Sequence, residues 1–352
     1  MEYKNILIIK MSSVGDIIHA LPFAAVLRER YPEAKISWLV HPQFAGFIPE
    51  APTIDEVLYF DKVAFKKMSL PEKIAFARKF RQELHAKKFD LVVDLQGLFK
   101  SAAVAFLTGT PNKIGYWQMR EGSGLVSKPI RGSHAHDHVI ERYLDVARYL
   151  GAQVNEISFP LPRFTVESAK IKTMLAEAGL GEGERYITMA PGARWETKRW
   201  PKENFAKLAT LFIEQGFPVV LVGGKEDIPL GKFIEDQVNN PAKLIDFVGK
   251  TNLSELAALL KDTYFYVSAD TGPLHIANAY GKPLIAIYGP TSPRRTGPYG
   301  NPKATVMQAK VPCVGCLKKH CDEWQCMNTI TPGQVLVIFK QKMGVINLGV
   351  RQ

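Results

Sequence analysis

The sequence predicts an α/β protein built as two doubly wound, Rossmann-like domains, each a parallel sheet with helices on both faces, facing one another across a cleft. Three observations predict it. Short, fully apolar strand-like segments alternate with helix-like segments almost throughout, and strands apolar along their whole length belong to sheets buried on both faces. A chain of 352 residues has room for about two domains of ordinary size. A proline-rich stretch, Phe159-Pro-Leu-Pro-Arg-Phe164, lies near the middle and divides the alternation. The expected domains are residues 1–163 and 164–352.

In order along the first half, Ile6–Ile9 is a short apolar strand, and Asp16 to about Arg30 reads as the helix after it. Ile36–Val40 and Val57–Phe60 are strand-like. Ser69-Leu-Pro-Glu72 is a capping box with proline inside the helix start. It opens a helix carrying Ile74, Ala77, Phe80 and Leu84 on one face, three to four residues apart. Leu91–Leu95 is another buried strand. Val139, Tyr143, Val146 and Leu150 mark an amphipathic helix closed by Gly151. In the second half, Tyr186–Ala190, Val219–Val222, Leu244–Val248, Phe265–Ser268 and Leu284–Tyr288 are apolar strands. Between the first two, Pro201 to Gln215 is a helix that begins with proline and stops at Gly216.

Composition narrows the functional classes. The hydrophobic fraction is 46%, yet no apolar run approaches the ~20 residues that span a bilayer. Ile6–Ile9 is too short for a signal peptide and is followed by Lys10, so a cytoplasmic protein is expected. The formal charge of +11 favours acidic partners, whether nucleic acid, phosphorylated ligands or an anionic membrane surface, without choosing among them. No nucleic-acid module is visible, and a nucleic-acid partner is not expected. All four cysteines fall between Cys313 and Cys326, which argues against a disulfide-built secreted protein.

Ligands of open parallel sheets collect at the carboxyl ends of the strands, so the loops leaving the strands are the candidates for chemistry. Lys10-Met-Ser-Ser-Val-Gly15-Asp16 leaves the first strand. Its Ser and Gly residues allow close backbone approach, and Asp16 is either a helix cap or a base aimed at a ligand. Ala190-Pro-Gly192-Ala193-Arg-Trp-Glu-Thr-Lys198 offers backbone N–H groups and a mobile cation to phosphate. In Ser268-Ala-Asp270-Thr271-Gly272-Pro-Leu-His275, Asp270 suits sugar hydroxyls, while Thr271 and Gly272 at a helix start suit a diphosphate. A carboxylate after Val219–Val222, Glu226 or Asp227, suits a ribose diol. Asp94-Leu-Gln96-Gly97 and Arg120 lie in the first domain, Arg120 as a candidate for an acidic acceptor. The spacing Cys313-x2-Cys316-x4-Cys321-x4-Cys326 leaves three readings open: a structural metal site, reduced thiols or a local disulfide. His134, His136 and His138 read as a polar helix start rather than as metal ligands.

Together these motifs resemble the heptosyltransferases of lipopolysaccharide inner-core synthesis, glycosyltransferase family 9. Ser12-Ser-Val-Gly-Asp16 paired with Ser268-Ala-Asp-Thr-Gly-Pro-Leu-His275 carries the resemblance. Lys198-Arg-Trp200-Pro201 and Tyr288-Gly-Pro-Thr291 add to it, and it covers the chain from Ile6 to about Val337. Asp94-Leu-Gln-Gly-Leu-Phe-Lys100-Ser101 and Tyr116-Trp-Gln-Met-Arg120-Glu121 look more like the enzyme adding the first heptose. The cysteine segment looks more like the enzyme adding the second.

The resemblance implies a GT-B fold with an N-terminal acceptor domain and a C-terminal donor domain, the last helix being a candidate to return to the first domain. It implies ADP-heptose as donor, the Kdo of lipid A-Kdo2 as acceptor, and inversion at the anomeric carbon with no metal or cofactor required. Asp16 matches the general base, with Ser13, Gly15 and Gln96 on the acceptor side. Lys198 matches the phosphate-contacting lysine, surrounded by Gly192, Ala193, Thr271, Gly272 and His275. Asp270 matches the carboxylate gripping the heptose. Glu226 is the choice for the ribose and Thr251 for the adenine pocket. Arg120, Lys62, Lys66 and Lys67 are placed on the acceptor's carboxylates and phosphates. The same lysines fit attraction to the anionic inner leaflet, and hence a peripheral inner-membrane location.

Overall fold

The computed structural model describes residues 2–344, which divide into two compact units, one running to Pro162 and the other beginning at Arg163. The first unit runs β1 (Asn5–Ile9), α1 (Val14–Arg30), β2 (Lys35–Val40), β3 (Glu56–Tyr59), α2 (Lys62–Lys67), α3 (Leu70–Ala86), β4 (Leu91–Asp94), α4 (Phe99–Leu107), β5 (Lys113–Tyr116), β6 (Lys128–Ile130) and α5 (Val139–Tyr149). Its six strands pair in parallel in the order β3-β2-β1-β4-β5-β6.

The second unit runs α6 (Thr165–Glu177), β7 (Ile187–Ala190), α7 (Lys202–Glu214), β8 (Val219–Leu221), α8 (Ile228–Gln237), β9 (Leu244–Asp246), α9 (Leu253–Asp262), β10 (Phe265–Ala269), α10 (Gly272–Ala279), β11 (Leu284–Tyr288), α11 (Pro293–Thr296), β12 (Ala304–Gln308), α12 (Gln325–Asn328) and α13 (Pro332–Met343). Its six parallel strands repeat the same order, β9-β8-β7-β10-β11-β12. In each sheet the order reverses between the first and fourth strands. That is the switch point where a crevice opens beyond the strand ends.

The strands read from the sequence are present, with ends shifted by a residue or so. Three others escaped the apolar pattern, each for a physical reason. β5 carries Lys113 and Gly115, β6 holds Pro129 at the sheet edge, where a missing N–H costs no ladder bond, and β12 is an edge strand with half-buried and exposed side chains. The face of α3 is also rotated from expectation. Ile74 is exposed, whereas Phe76 stacks on Phe80 and both rings meet Phe60. The histidine run behaves as a helix start: Nδ1 of His138, the N-cap of α5, accepts from Ile140 N at 3.2 Å. Among the described residues no helix is long and apolar enough to cross a membrane.

The last helix of the described residues, α13, packs on α7 of its own unit. The reason is Phe339, fully buried, whose ring lies 5.0 Å from Phe212 and from Phe265 and 5.5 Å from Phe217. Phe339→Ala is expected to remove about 3–5 kcal/mol from the second unit. Urea unfolding followed by tryptophan fluorescence measures it, and a loss below about 1 kcal/mol would mean that α13 is dispensable to that core.

Candidate active site

In the first unit the loops leaving β1 and β4 meet at the switch point and interlock. Ser13 is the N-cap of α1, and Asp16 reaches back to it: Oδ2 accepts from Ser13 N at 2.9 Å and from Ser13 Oγ at 2.8 Å. Asp16 is half-buried, and Gly15 is buried beside it in the first helical turn. A carboxylate in that turn is favoured by the helix dipole, and Asp16 closes the capping box of α1. The β4 loop holds the β1 loop from the other side, because Gln96 Oε1 accepts from Met11 N at 3.0 Å and Ser12 N at 3.1 Å. Lys10, buried, returns the contact: its Nζ donates to Leu95 O and to Tyr143 OH, both at 2.8 Å.

Beneath this junction Asp94 is fully buried and accepts from Gln96 N, Gly97 N and Ser101 Oγ. Burial pushes its carboxyl up to about 6, against the opposing pull of those donors and of Lys10. Gly97 O in turn accepts from Arg120 N at 2.8 Å, so the backbone of Arg120 is tethered to the same junction while its side chain is exposed. Lys66 and Lys67 are exposed and Lys62 is half-buried, all on α2 just past β3.

In the second unit the residues after β7 and β10 form one charged cluster. Lys198 Nζ lies 2.7 Å from Asp270 Oδ2 and 4.8 Å from the centre of the Trp195 ring. Oδ1 of Asp270 accepts from Tyr288 OH at 3.3 Å and lies 3.7 Å from His275 Nε2. Burial alone would raise the Asp270 carboxyl. His275 and Lys198 outweigh it and hold the group well below the usual carboxylate range. Thr271 is the N-cap of α10 and Gly272 its first residue, so free helix N–H groups begin beside Asp270.

Gly192 and Ala193 are buried in the β7 loop. A side chain at Gly192 would sit 2.2 Å from the Asp227 carboxyl, so only glycine lets that carboxylate pack on the loop. Asp227 Oδ2 accepts from Gly224 N at 3.0 Å. Of the two acidic candidates after β8, Asp227 is therefore committed internally and Glu226 is the exposed one. Thr251 is half-buried next to Asn252, the N-cap of α9.

All four cysteines are free thiols, so the local disulfide is not formed. They share the lining of one cavity of about 330 Å³ with His320 and Asp322. Among the described residues no group of three His, Cys, Asp or Glu side chains is set to hold a metal ion. The segment has another physical role. Thr197 Oγ1 donates to Lys318 O at 2.8 Å, and Trp324 Nε1 donates to Thr197 O at 2.9 Å. The residue next to Lys198 is thus clamped on both its side chain and its backbone. Sequence reasoning missed this clamp, the embrace of Gln96 and the burial of Lys10; a lysine closing an apolar strand was the one visible signal.

The Lys198–Asp270 pair makes a pH-dependent prediction. A carboxyl held low in the folded state stabilises above its unfolded value of about 4, and that stabilisation is lost as pH falls below it. Lys198→Met is expected to cost roughly 3 kcal/mol at neutral pH, with a deficit that shrinks below pH of about 4. Urea titrations at several pH values measure it; a deficit independent of pH would show that the lysine acts through packing alone.

Comparison with known proteins identifies the family. The sequence profile described as glycosyltransferase family 9 (heptosyltransferase) matches residues 77–326. Lipopolysaccharide heptosyltransferase 1 of Pseudomonas aeruginosa is 30% identical over 324 residues, covering 90% of this chain and 87% of that protein. The structure of Escherichia coli ADP-heptose lipopolysaccharide heptosyltransferase II superposes with a TM-score of 0.79 at 26% identity, over 98% of this chain and 99% of that one. E. coli heptosyltransferase WaaC with ADP-2-deoxy-2-fluoro heptose gives 0.73 at 26% identity, over 96% and 99%. With the paired Rossmann-type sheets and a profile match over more than half its length, the chain belongs to glycosyltransferase family 9, the heptosyltransferases, and is a glycosyltransferase of GT-B fold.

Proposed function

We propose that the chain is an inverting transferase that moves L-glycero-D-manno-heptose from ADP-heptose to the Kdo of lipid A-Kdo2, the first-heptose step of lipopolysaccharide inner-core synthesis. The observation that carries this reading is the anchored Asp16 carboxylate at the end of β1, in a chain that also carries the Lys198–Asp270 cluster at the ends of β7 and β10. Asp16 takes the proton of the acceptor hydroxyl as that oxygen attacks heptose C1. Aspartate is a weak base at neutral pH, but the hydroxyl acidifies as the C–O bond forms, so reach matters more than basicity. Attack opposite the departing ADP inverts the anomeric centre.

The charge that develops on the leaving diphosphate falls to Lys198, to the Gly192 and Ala193 backbone, and to Thr271 and Gly272 at the start of α10. Oriented donors of this kind are worth several kcal/mol at a transition state. Asp270, kept ionised by Lys198 and His275, accepts from heptose hydroxyls. Glu226 takes the ribose diol and Thr251 borders the adenine. The step as written calls on no metal or cofactor. On the acceptor side Ser13, Gly15 and Gln96 line the approach to Asp16, and Arg120 receives a Kdo carboxylate or phosphate. Lys62, Lys66 and Lys67 draw the protein to the anionic inner leaflet from the cytoplasmic side, at about 1 kcal/mol per charge near the surface. The likeness of the cysteine segment to second-heptose enzymes favours one alternative, transfer to Hep-Kdo2-lipid A.

Incubation with ADP-heptose and each acceptor in turn, scored by product mass, separates these. Product with Kdo2-lipid A is expected; product only with Hep-Kdo2-lipid A makes this the second-heptose enzyme, and none with either removes ADP-heptose as donor. Asp16→Asn keeps an oxygen for the Ser13 contacts and loses the base. It is expected to lower kcat by about 10²–10⁴ at unchanged ADP-heptose affinity, whereas a wild-type rate would remove Asp16 from the mechanism.

A further inference from the structure

We infer that Gln96 is a positioning residue for the general base, acting through the backbone of the β1 loop; the inference rests on the reading of Asp16 as that base. A single side-chain oxygen, Gln96 Oε1, accepts from two consecutive backbone donors, Met11 N and Ser12 N. The next residue is Ser13, whose N–H and hydroxyl hold the Asp16 carboxylate. The path from Gln96 to Asp16 is therefore four hydrogen bonds across residues 11–16, with Ser13 as the hinge between them.

Gln96 is itself fixed. Its backbone N–H is held by Asp94 Oδ1 at 2.9 Å, and Asp94 Oδ2 is held by Ser101 Oγ at 2.8 Å on α4. The neighbouring Leu95 carbonyl is gripped by Lys10 Nζ. The β1 and β4 loops are stitched in both directions, Lys10 reaching to β4 and Gln96 reaching to β1. The chemistry demands an acceptor at this position, because both groups presented by the β1 loop are N–H donors. The amide oxygen of glutamine meets that demand and a hydrocarbon does not. A base must reach its proton within hydrogen-bond distance, and displacement by about 1 Å costs on the order of 10²-fold in rate. Gln96 thus sets where Asp16 stands without itself touching a reacting atom.

Three variants test this. Gln96→Ala removes the acceptor, Gln96→Met removes it at nearly constant volume should the alanine variant fail to fold, and Gln96→Glu keeps an oxygen while removing the amide NH2. The expected result is a kcat about tenfold to a hundredfold lower in the alanine or methionine variant, with the KM for ADP-heptose within about twofold and most of kcat restored by glutamate. Amide hydrogen exchange across residues 11–13 is expected to quicken in the first two variants and return in the third. An unchanged kcat despite quickened exchange overturns the proposal. So does a glutamate variant as slow as alanine with a raised acceptor KM, since that marks direct acceptor contact through the NH2 group. Asp16→Asn assayed in parallel keeps the two readings apart: its wild-type turnover would fail the base assignment, whereas the exchange pattern fails or supports the tether by itself.

Discussion

Everything in this molecule depends on strands that all run the same way. A parallel sheet delivers each strand's outgoing loop to one edge, and the right-handed crossover sends successive helices to a fixed face. When the strand order turns back on itself, two neighbouring loops depart in opposite directions and leave a gap that backbone cannot fill. Both sheets have this reversal at the same place, between the first and fourth strands. The loops that meet there are Lys10–Asp16 with Asp94–Gly97 in one unit, and Gly192–Lys198 with Asp270–Gly272 in the other.

The two units fill the same position with opposite electrostatics. Asp94 closes β4 and Asp270 follows β10, the fourth strand of each sheet, and both carboxylates are buried. Asp94 is pushed up to about 6, whereas Asp270 is held well below the ordinary range. The difference lies in the partners. His275 and Lys198 both face Asp270, while Lys10 donates to Leu95 O and Tyr143 and affects Asp94 only through space. The Asp94 side therefore rests on backbone and hydroxyl donors alone. The Asp270 side keeps a fixed charge pair.

Much of this was legible in the sequence. Ile6–Ile9 and Leu284–Tyr288 read as buried strands because they are apolar on both faces, and the strand–loop–helix sequence delivers Asp16, Lys198, Asp270 and Thr271 to strand ends without further assumption. What stayed hidden depends on neighbours distant in the chain. Gln96 and Met11 are 85 residues apart, and nothing in either segment shows that one will hold the other. Asp227 and Glu226 are adjacent and chemically alike, and the inward turn of Asp227 rests on the space left by Gly192 and on the N–H of Gly224. β6 and β12 lack the apolar run because sheet edges do not require it, and β5, paired on both sides, is broken up by Lys113 and Gly115. The cysteine spacing drew attention to the sulfurs, while the structural work of that segment is done by Lys318 O and the Trp324 indole.

The clamp on Thr197 also fixes when the second site can exist during synthesis. In the first unit, the junction of the β1 and β4 loops is complete in sequence once Ser101 and Tyr143 have emerged. The Lys198 loop instead waits for the last part of the chain. Thr197 needs Lys318 and Trp324, and the indole of Trp200 needs the carbonyl of Ile330, 130 residues later. A ribosome therefore releases this enzyme with one half of its machinery able to form early, since domains fold as units from the N-terminus. The other half is completed only once residue 330 has emerged, and a chain stalled before residue 318 would carry a β1 loop already held by Gln96 and a Lys198 loop without the clamp on Thr197.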